Sequence, residues 1–230
     1  MQYNEDARRR EIRKGEHRNM DYEKLIATLS RKGYHGYFCK DSAAAKKLVM
    51  EELLAGVRSI GKGGSASLRE CGIWDALLEQ DARTDDERIE LFSTTLYNSQ
   101  GKDPQIALEK GMTADAYICS TNAMTEGGTF INIDGVGNRV GAMIYGPKKV
   151  ILVVGKNKIF PDYETAWDHL KNVTCPKHSL HGSGKSACAK AGRCVDCDND
   201  NRMCCITSIL DRALPDREYH IVIVDEELGY

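Results

Sequence analysis

Residues 121–159 read TNAMTEGGTFINIDGVGNRVGAMIYGPKKVILVVGKNKI, and this stretch decides the fold. Residues 129–133 form a short apolar run with β-branched side chains, which predicts a strand. Residues 150–154 are five consecutive apolar residues. A run this apolar predicts a strand that is buried on both faces, as in the centre of a parallel sheet.

Polar side chains and glycines surround these two predicted strands. The polar residues are Asn122, Glu126, Asp134, Asn138, Arg139, Lys156 and Asn157. The glycines are Gly127, Gly128, Gly135, Gly137, Gly141 and Gly146. Because glycine lets a backbone approach a ligand closely, this composition predicts the wall of a pocket. The alternative is a set of tight turns whose polar side chains bond to their own backbone.

The same stretch resembles a known family. The words TNAMTEGG, INIDGVGNRV and YGPKKVILVVGKNKI, with VDEELGY at residues 224–230, are similar to the LUD family, a domain associated with lactate utilisation. The resemblance extends from about residue 22 to the last residue. It implies a NagB/RpiA/CoA-transferase-like α/β fold, with a mostly parallel sheet flanked by helices. It further implies an accessory role in lactate (2-hydroxyacid) utilisation and electron transfer, with other iron–sulfur redox proteins as partners.

Composition indicates an ordinary globular protein. The 230 residues are 41% hydrophobic and 29% charged, which is enough for one large domain with its own core. The net charge of −2 gives no basic field for nucleic acid. Apolar runs are too short for a membrane span or a signal peptide, so we expect a cytoplasmic protein. The sequence is also compatible with a homo-oligomer.

Strand-like and helix-like patterns alternate along the chain. Predicted strands cover residues 34–39, 57–60, 88–92, 117–119 and 221–224, beside the two named above. Predicted helices cover residues 1–33, 43–54, 68–78, 103–110 and 161–170. This alternation is typical of βαβ units, and it predicts a single domain over residues 1–230. We expect one sheet to contain residues 57–60, 129–133 and 150–154.

A glycine-rich turn at residues 61–67 links a predicted strand to a predicted helix. Backbone N–H groups in such a turn can bind an anion, so Gly63, Gly64 and Ser65 are candidate ligand contacts. The expected ligand is a small carboxylate or a phosphorylated molecule. The alternative is a plain turn that is closed by a serine N-cap.

Six of the nine cysteines fall in the last quarter of the chain, within the Cys-rich segment 172–205. Cys188, Cys194, Cys197 and Cys204 have the spacing C-x5-C-x2-C-x6-C. In a reducing compartment, such clustering predicts a metal site, because thiolates are soft ligands. The resemblance maps onto these four cysteines and favours a [4Fe–4S] cluster. Zinc and a set of reduced buried thiols remain alternatives.

The other cysteines have different expectations. Cys175 is either a spare thiol or a substitute ligand, and Cys205 lies outside the set. Cys39, Cys71 and Cys119 occur singly in strand or helix patterns, so we expect them in the core.

Three further polar residues are candidates, one for catalysis and two for ligand binding. Glu126 precedes two glycines, and CoA-transferases of this fold use a glutamate beside a glycine as acyl acceptor, so Glu126 is the candidate catalytic residue. A turn glutamate is the alternative. Lys156 and Asn157 follow the buried strand, at the end where open α/β sheets bind ligands.

The histidines of the stretch HSLHGSGKS, residues 178–186, invite a metal-site interpretation. His178 and His181 would share a helix face, but the glycines that follow predict a loop instead.

The sequence is therefore compatible with three functions. They are an iron–sulfur accessory protein, a small-molecule-binding regulatory or scaffolding domain with structural zinc, and an acyl or sugar-phosphate enzyme of the same fold.

Overall fold

The computed structural model describes residues 20–182 and 184–230. The predicted helix over residues 1–33 therefore falls mostly outside the described residues, and its described part begins at Tyr22.

A six-stranded parallel sheet forms the centre of the fold. Its strand order is β1-β10-β7-β4-β2-β3. The strands are β1 (His35–Cys39), β2 (Ser59–Lys62), β3 (Glu90–Phe92), β4 (Ala116–Cys119), β7 (Lys149–Gly155) and β10 (Glu218–Val224). This sheet, with helices packed on it, confirms the predicted mostly parallel α/β fold.

The middle strands are buried on both faces, as their apolar runs predict. Val150, Val153 and Val154 are 0% exposed. In register, Val153 of β7 lies beside Val222 of β10, and Ile151 lies beside Ile118 of β4. Side chains alternate between two core clusters on opposite faces of the sheet, so each face is covered by helices.

Several of the helices follow N-cap signals in the sequence. They are α1 (Tyr22–Arg31), α2 (Ser42–Lys47), α3 (Ala66–Glu70), α4 (Ile73–Asp81), α5 (Thr94–Ser99), α6 (Pro104–Gly111), α7 (Asn138–Tyr145), α8 (Tyr163–His169), α9 (Cys175–His181) and α10 (Ala187–Ala191). Wider π-helical turns extend α2 over Leu48–Leu53 and α8 over Leu170–Thr174. Asp21, Asp41, Asp103 and Asp162 each cap a helix with the side-chain carboxylate. No helix within the described ranges is long and apolar enough to cross a membrane.

A second sheet of four strands corrects one expectation. Its order is β8-β5-β6-β9, with β5 (Ala123–Thr125), β6 (Phe130–Asp134), β8 (Ile159–Phe160) and β9 (Ile206–Leu210). The prediction that residues 129–133 share a sheet with residues 57–60 and 150–154 is therefore wrong. The turn through Gly128, at φ 77°, folds β6 back antiparallel to β5, and β9 pairs with the other edge of β6.

Two helices replace predicted loops. Asn138 and Arg139 begin α7, which buries Val140, Ala142 and Met143 against the core. His178 and His181 lie in α9, so the loop prediction for them is wrong. The glycines at 182 and 184 follow the end of α9 and therefore do not interrupt it.

Candidate functional site

A cavity of about 400 Å³ lies at the carboxyl ends of the central parallel strands. Residues that follow β2, β4 and β7 line it, including Ser65, Ser120 and Lys158. The carboxyl edge is where open α/β sheets bind their ligands. The cysteine segment contributes a further part of the lining, which unites two features that are far apart in sequence.

Lys158 is the buried cation of this cavity. Its side chain is 5% exposed, and its Nζ lies 2.9 Å from Ser67 Oγ and 3.1 Å from Ser120 Oγ. Among the described residues, no carboxylate forms an ion pair with it. Burial, with a smaller contribution from the Arg139 charge, lowers the pKa of Lys158 to about 8. Sequence reasoning missed this residue.

Lys156 and Asn157, which the sequence favoured, hold the C-terminal segment of the chain. Lys156 Nζ lies 3.1 Å from Asp225 Oδ1, and Asn157 Oδ1 accepts a hydrogen bond from Leu228 N at 2.9 Å. Neither side chain lines the cavity. Ligand binding by Lys156 and Asn157 stays a prediction, and their position outside the cavity does not favour it.

Arg139 organises the cavity wall through its own hydrogen bonds. Its Nη1 donates to Ser120 O and Asn132 Oδ1, and its Nη2 donates to Asn122 Oδ1 and Ile133 O. Its Nε lies 3.4 Å from Asp134 Oδ2. Four hydrogen bonds and one ion pair therefore join the Arg139 guanidinium to the protein around it. A direct contact between Arg139 and a ligand stays a prediction.

The other polar candidates of the central stretch reach the cavity. Asn122, Asp134 and Asn138 line it. Asp134 Oδ1 also accepts from Gly137 N at 3.1 Å, just before α7 begins. The structure therefore brings these three residues together on one cavity, although Asn122 and Asp134 also bond to the protein around them. Their contact with a ligand stays a prediction.

The glycine-rich turn places Gly64 and Ser65 on the cavity, but not Gly63. A Cβ at Gly63 would lie 3.1 Å from Arg139 Cγ, so this glycine allows the Arg139 side chain to pack. Ser65 Oγ accepts from Leu68 N at 3.3 Å, which is the serine N-cap of the alternative interpretation. Helix α3 has only five residues, so its dipole is a weak basis for anion binding.

Glu126 lies away from this cavity. It is exposed in the β5–β6 turn, at the opposite end of the hairpin from Asn122 and Asp134. Its backbone N donates to Phe160 O at 2.7 Å. The β5–β6 hairpin thus separates Glu126 from the residues that line the cavity, and the expectation that Glu126 shares the pocket is not met. The catalytic role of Glu126 stays a prediction.

The cysteine segment forms a turn around Cys194 and Cys197. Asp196 has φ 43°, and its N–H donates to Cys194 Sγ at 3.4 Å. Arg202 Nη1 donates to Cys197 O at 2.7 Å, and Arg202 Nε donates to Cys204 O at 3.2 Å. A backbone N–H that donates to a cysteine sulfur stabilises its thiolate, which is the form that binds metal.

Several of these thiols share the cavity. Cys175, Cys188, Cys197 and Cys204 line it. Burial, with smaller contributions from Cys204, Cys188 and Cys194, raises the pKa of Cys175 to about 12. In the described part of the chain, no three His, Cys, Asp or Glu residues converge closely enough to hold a metal ion. The donor set nevertheless has the chemistry of a thiolate metal site, with Cys175 beside the four predicted ligands.

The remaining cysteines lie as expected. Cys39, Cys71 and Cys119 are buried in the core, and Cys205 is exposed.

Comparison with known proteins assigns the family. A family model of the LUD domain matches residues 22–224. No curated protein matched the chain. The crystal structure of a DUF162 family protein from Deinococcus radiodurans is similar at a TM-score of 0.46 and 12% identity, over 88% of this chain and 94% of that one. The family match covers most of the chain, and the protein therefore belongs to the LUD-domain family.

Proposed function

We propose that this protein is an iron–sulfur-containing accessory component of lactate (2-hydroxyacid) utilisation and electron transfer. In this proposal, the cavity binds a small carboxylate or a phosphorylated ligand. Cys188, Cys194, Cys197 and Cys204 hold a [4Fe–4S] cluster, and other iron–sulfur redox proteins are its partners. The observation that carries the proposal is one cavity lined both by a buried lysine and by the cysteine segment.

The cysteine side of the proposal rests on the donor set. When bound, a cluster would supply one-electron transfer. The chain's own residues prepare the site: Asp196 N–H donates to the Cys194 sulfur, and Arg202 holds the backbone carbonyls of Cys197 and Cys204. Hydrogen bonds to sulfur are among the features that set a cluster's potential. The same four cysteines could bind zinc instead, so the donor set supports the regulatory alternative with structural zinc as well as it supports a cluster.

The anion side rests on charge. A buried cation without an acidic partner is unfavourable, because burial removes its hydration. Below its pKa of about 8, Lys158 is such a cation, and Arg69 lines the same cavity from an exposed position. An anionic ligand would compensate both charges, and a guanidinium can bind a carboxylate or phosphate through two parallel hydrogen bonds.

The first test is metal content after anaerobic purification. We expect about four iron and about four acid-labile sulfide per chain, with a brown colour. Cys197→Ser should lose most of both, since a ligand is removed. Cys205→Ser is the matched control, because Cys205 is exposed and lies outside the proposed set. Zinc alone would support the regulatory alternative, and unchanged iron in Cys197→Ser would contradict the assigned ligands.

The second test is anion binding by calorimetry with lactate and inorganic phosphate. Arg69→Gln should weaken binding about tenfold, as expected for the loss of one charge-assisted contact. Lys156→Gln should leave binding unchanged, because its ammonium pairs with Asp225 outside the cavity. A larger effect at Lys156 than at Arg69 would move the ligand to another site.

A further inference from the structure

Three neighbouring strands deliver one polar residue each to a single point. Strands β7, β4 and β2 are adjacent in the sheet and parallel. Lys158 follows β7, Ser120 follows β4, and Ser67 follows β2. Because the carboxyl ends of parallel strands meet at one edge, residues from distant parts of the chain come into contact there.

Lys158 contacts both serines. Lys158 Nζ lies 3.1 Å from Ser120 Oγ and 2.9 Å from Ser67 Oγ. Ser67 Oγ in turn lies 3.1 Å from Leu228 O, which holds it in place. Lys158 and Ser120 line the cavity, whereas Ser67 is 0% exposed and lies behind them.

We propose that Ser120 and Lys158 form an acyl-transfer centre, with Ser120 as the nucleophile and Lys158 as its general base. A hydroxyl within hydrogen-bond reach of a base, which a third group orients, is the arrangement that activates a serine. Ser67 is the positioning residue. The substrate class is an ester or thioester of a small acid. This activity goes beyond the proposed function and does not depend on metal.

The proposed reaction is an acyl transfer followed by hydrolysis, and it requires no oxidant or reductant. Ser120 Oγ attacks the carbonyl carbon, and its proton passes to the neutral Lys158 amine. The bond from carbon to the leaving oxygen or sulfur breaks, and Lys158 returns the proton to that leaving group. Water then attacks the acyl group on Ser120, with Lys158 as base, and releases the acid with the serine restored.

The surroundings suit these roles. The base must be neutral, and burial lowers the pKa of Lys158 to about 8, with Arg139 adding to the decrease. Arg139 Nη1 also donates to Ser120 O at 3.2 Å and so fixes the backbone of the nucleophile. A Cβ added at Gly64, on the wall of the same cavity, would meet no atom within 4 Å, so this wall is open.

The test is labelling of the full-length protein with an alkyl fluorophosphonate, followed by mapping of the modified peptide by mass spectrometry. A fluorophosphonate reacts with activated serine, whereas an activated ester would also acylate the cysteines of the same cavity. We expect the label on Ser120. Its rate should rise with pH until Lys158 is deprotonated, with a midpoint near pH 8.

Variants separate the roles. Ser120→Ala should abolish labelling, and Lys158→Gln should slow it about a hundredfold, as expected for loss of a general base. Ser67→Ala should retain slower labelling with a shifted pH midpoint. Ser99→Ala should label like the parent protein, because Ser99 is exposed outside the cavity.

Other outcomes would overturn the proposal. Labelling at another residue, an unchanged rate in Lys158→Gln, or a pH-independent rate of the parent protein would each do so. The parent protein's label position and pH profile test the proposal even if a variant fails to fold. Iron content of Ser120→Ala is a separate measurement, so failure here leaves the proposed cluster untouched.

Discussion

Replacing Arg139 by alanine is expected to lower the free energy of unfolding by about 3–5 kcal/mol, as for other buried ion pairs that lose one partner. The Arg139 and Asp134 side chains are only 11% and 8% exposed. Removal of the guanidinium takes the ion-pair partner from the Asp134 carboxylate, and it takes one hydrogen-bond donor from each of the amide oxygens of Asn122 and Asn132. Urea denaturation of the parent protein and the variant measures the difference.

Two further variants make this prediction specific. Arg139→Lys keeps the charge, but a single ammonium cannot reach all five acceptors, so we expect an intermediate loss of stability. Arg83→Ala removes a half-buried arginine that pairs with the exposed carboxylates of Asp85 and Glu87, and we expect it to change the free energy of unfolding by less than about 1 kcal/mol. A stability change in Arg139→Ala as small as that in Arg83→Ala would contradict the structural role.

The parallel core could be predicted because its strands carry local signals. Residues 150–154 and 221–224 are continuous apolar runs, and both form central strands. The second sheet lacks such a signal. Strand β6 pairs with β9, whose residues lie more than 70 positions later and are largely exposed. A pairing between strands so far apart in sequence depends on the tertiary fold of the whole chain, and local sequence patterns therefore do not predict it.

Part of the candidate site could also be predicted, because some of its residues follow strands that carry local signals. Asn122, Asp134, Asn138 and Ser65 reach the cavity because they follow recognisable strands. Within the triplet Lys156–Lys158, however, composition does not distinguish the residues, and a 3-10 turn decides that only the third lines the cavity. Ser67 and Ser120 are ordinary serines in the sequence, and the strand order alone brings them to Lys158.

One substitution, glycine to alanine, is expected to act in opposite directions at two positions. At Gly61 in β2, an added Cβ would lie 2.6 Å from Gly111 O and 2.8 Å from Gly111 Cα at the end of α6. Since both are backbone atoms, the helix itself must move. We therefore expect Gly61→Ala to lower the free energy of unfolding by about 2–3 kcal/mol, the range for overpacked cores.

Gly141 is the matched control within α7. An added Cβ there would meet no atom within 4 Å, and the residue is helical with an ordinary negative φ. Alanine restricts the unfolded chain more than glycine does, so Gly141→Ala should raise stability by about 0.5–1 kcal/mol. Chemical denaturation of both variants checks the signs. A destabilised Gly141→Ala would contradict the helical assignment of α7, and an unaffected Gly61→Ala would contradict the close contact between β2 and α6.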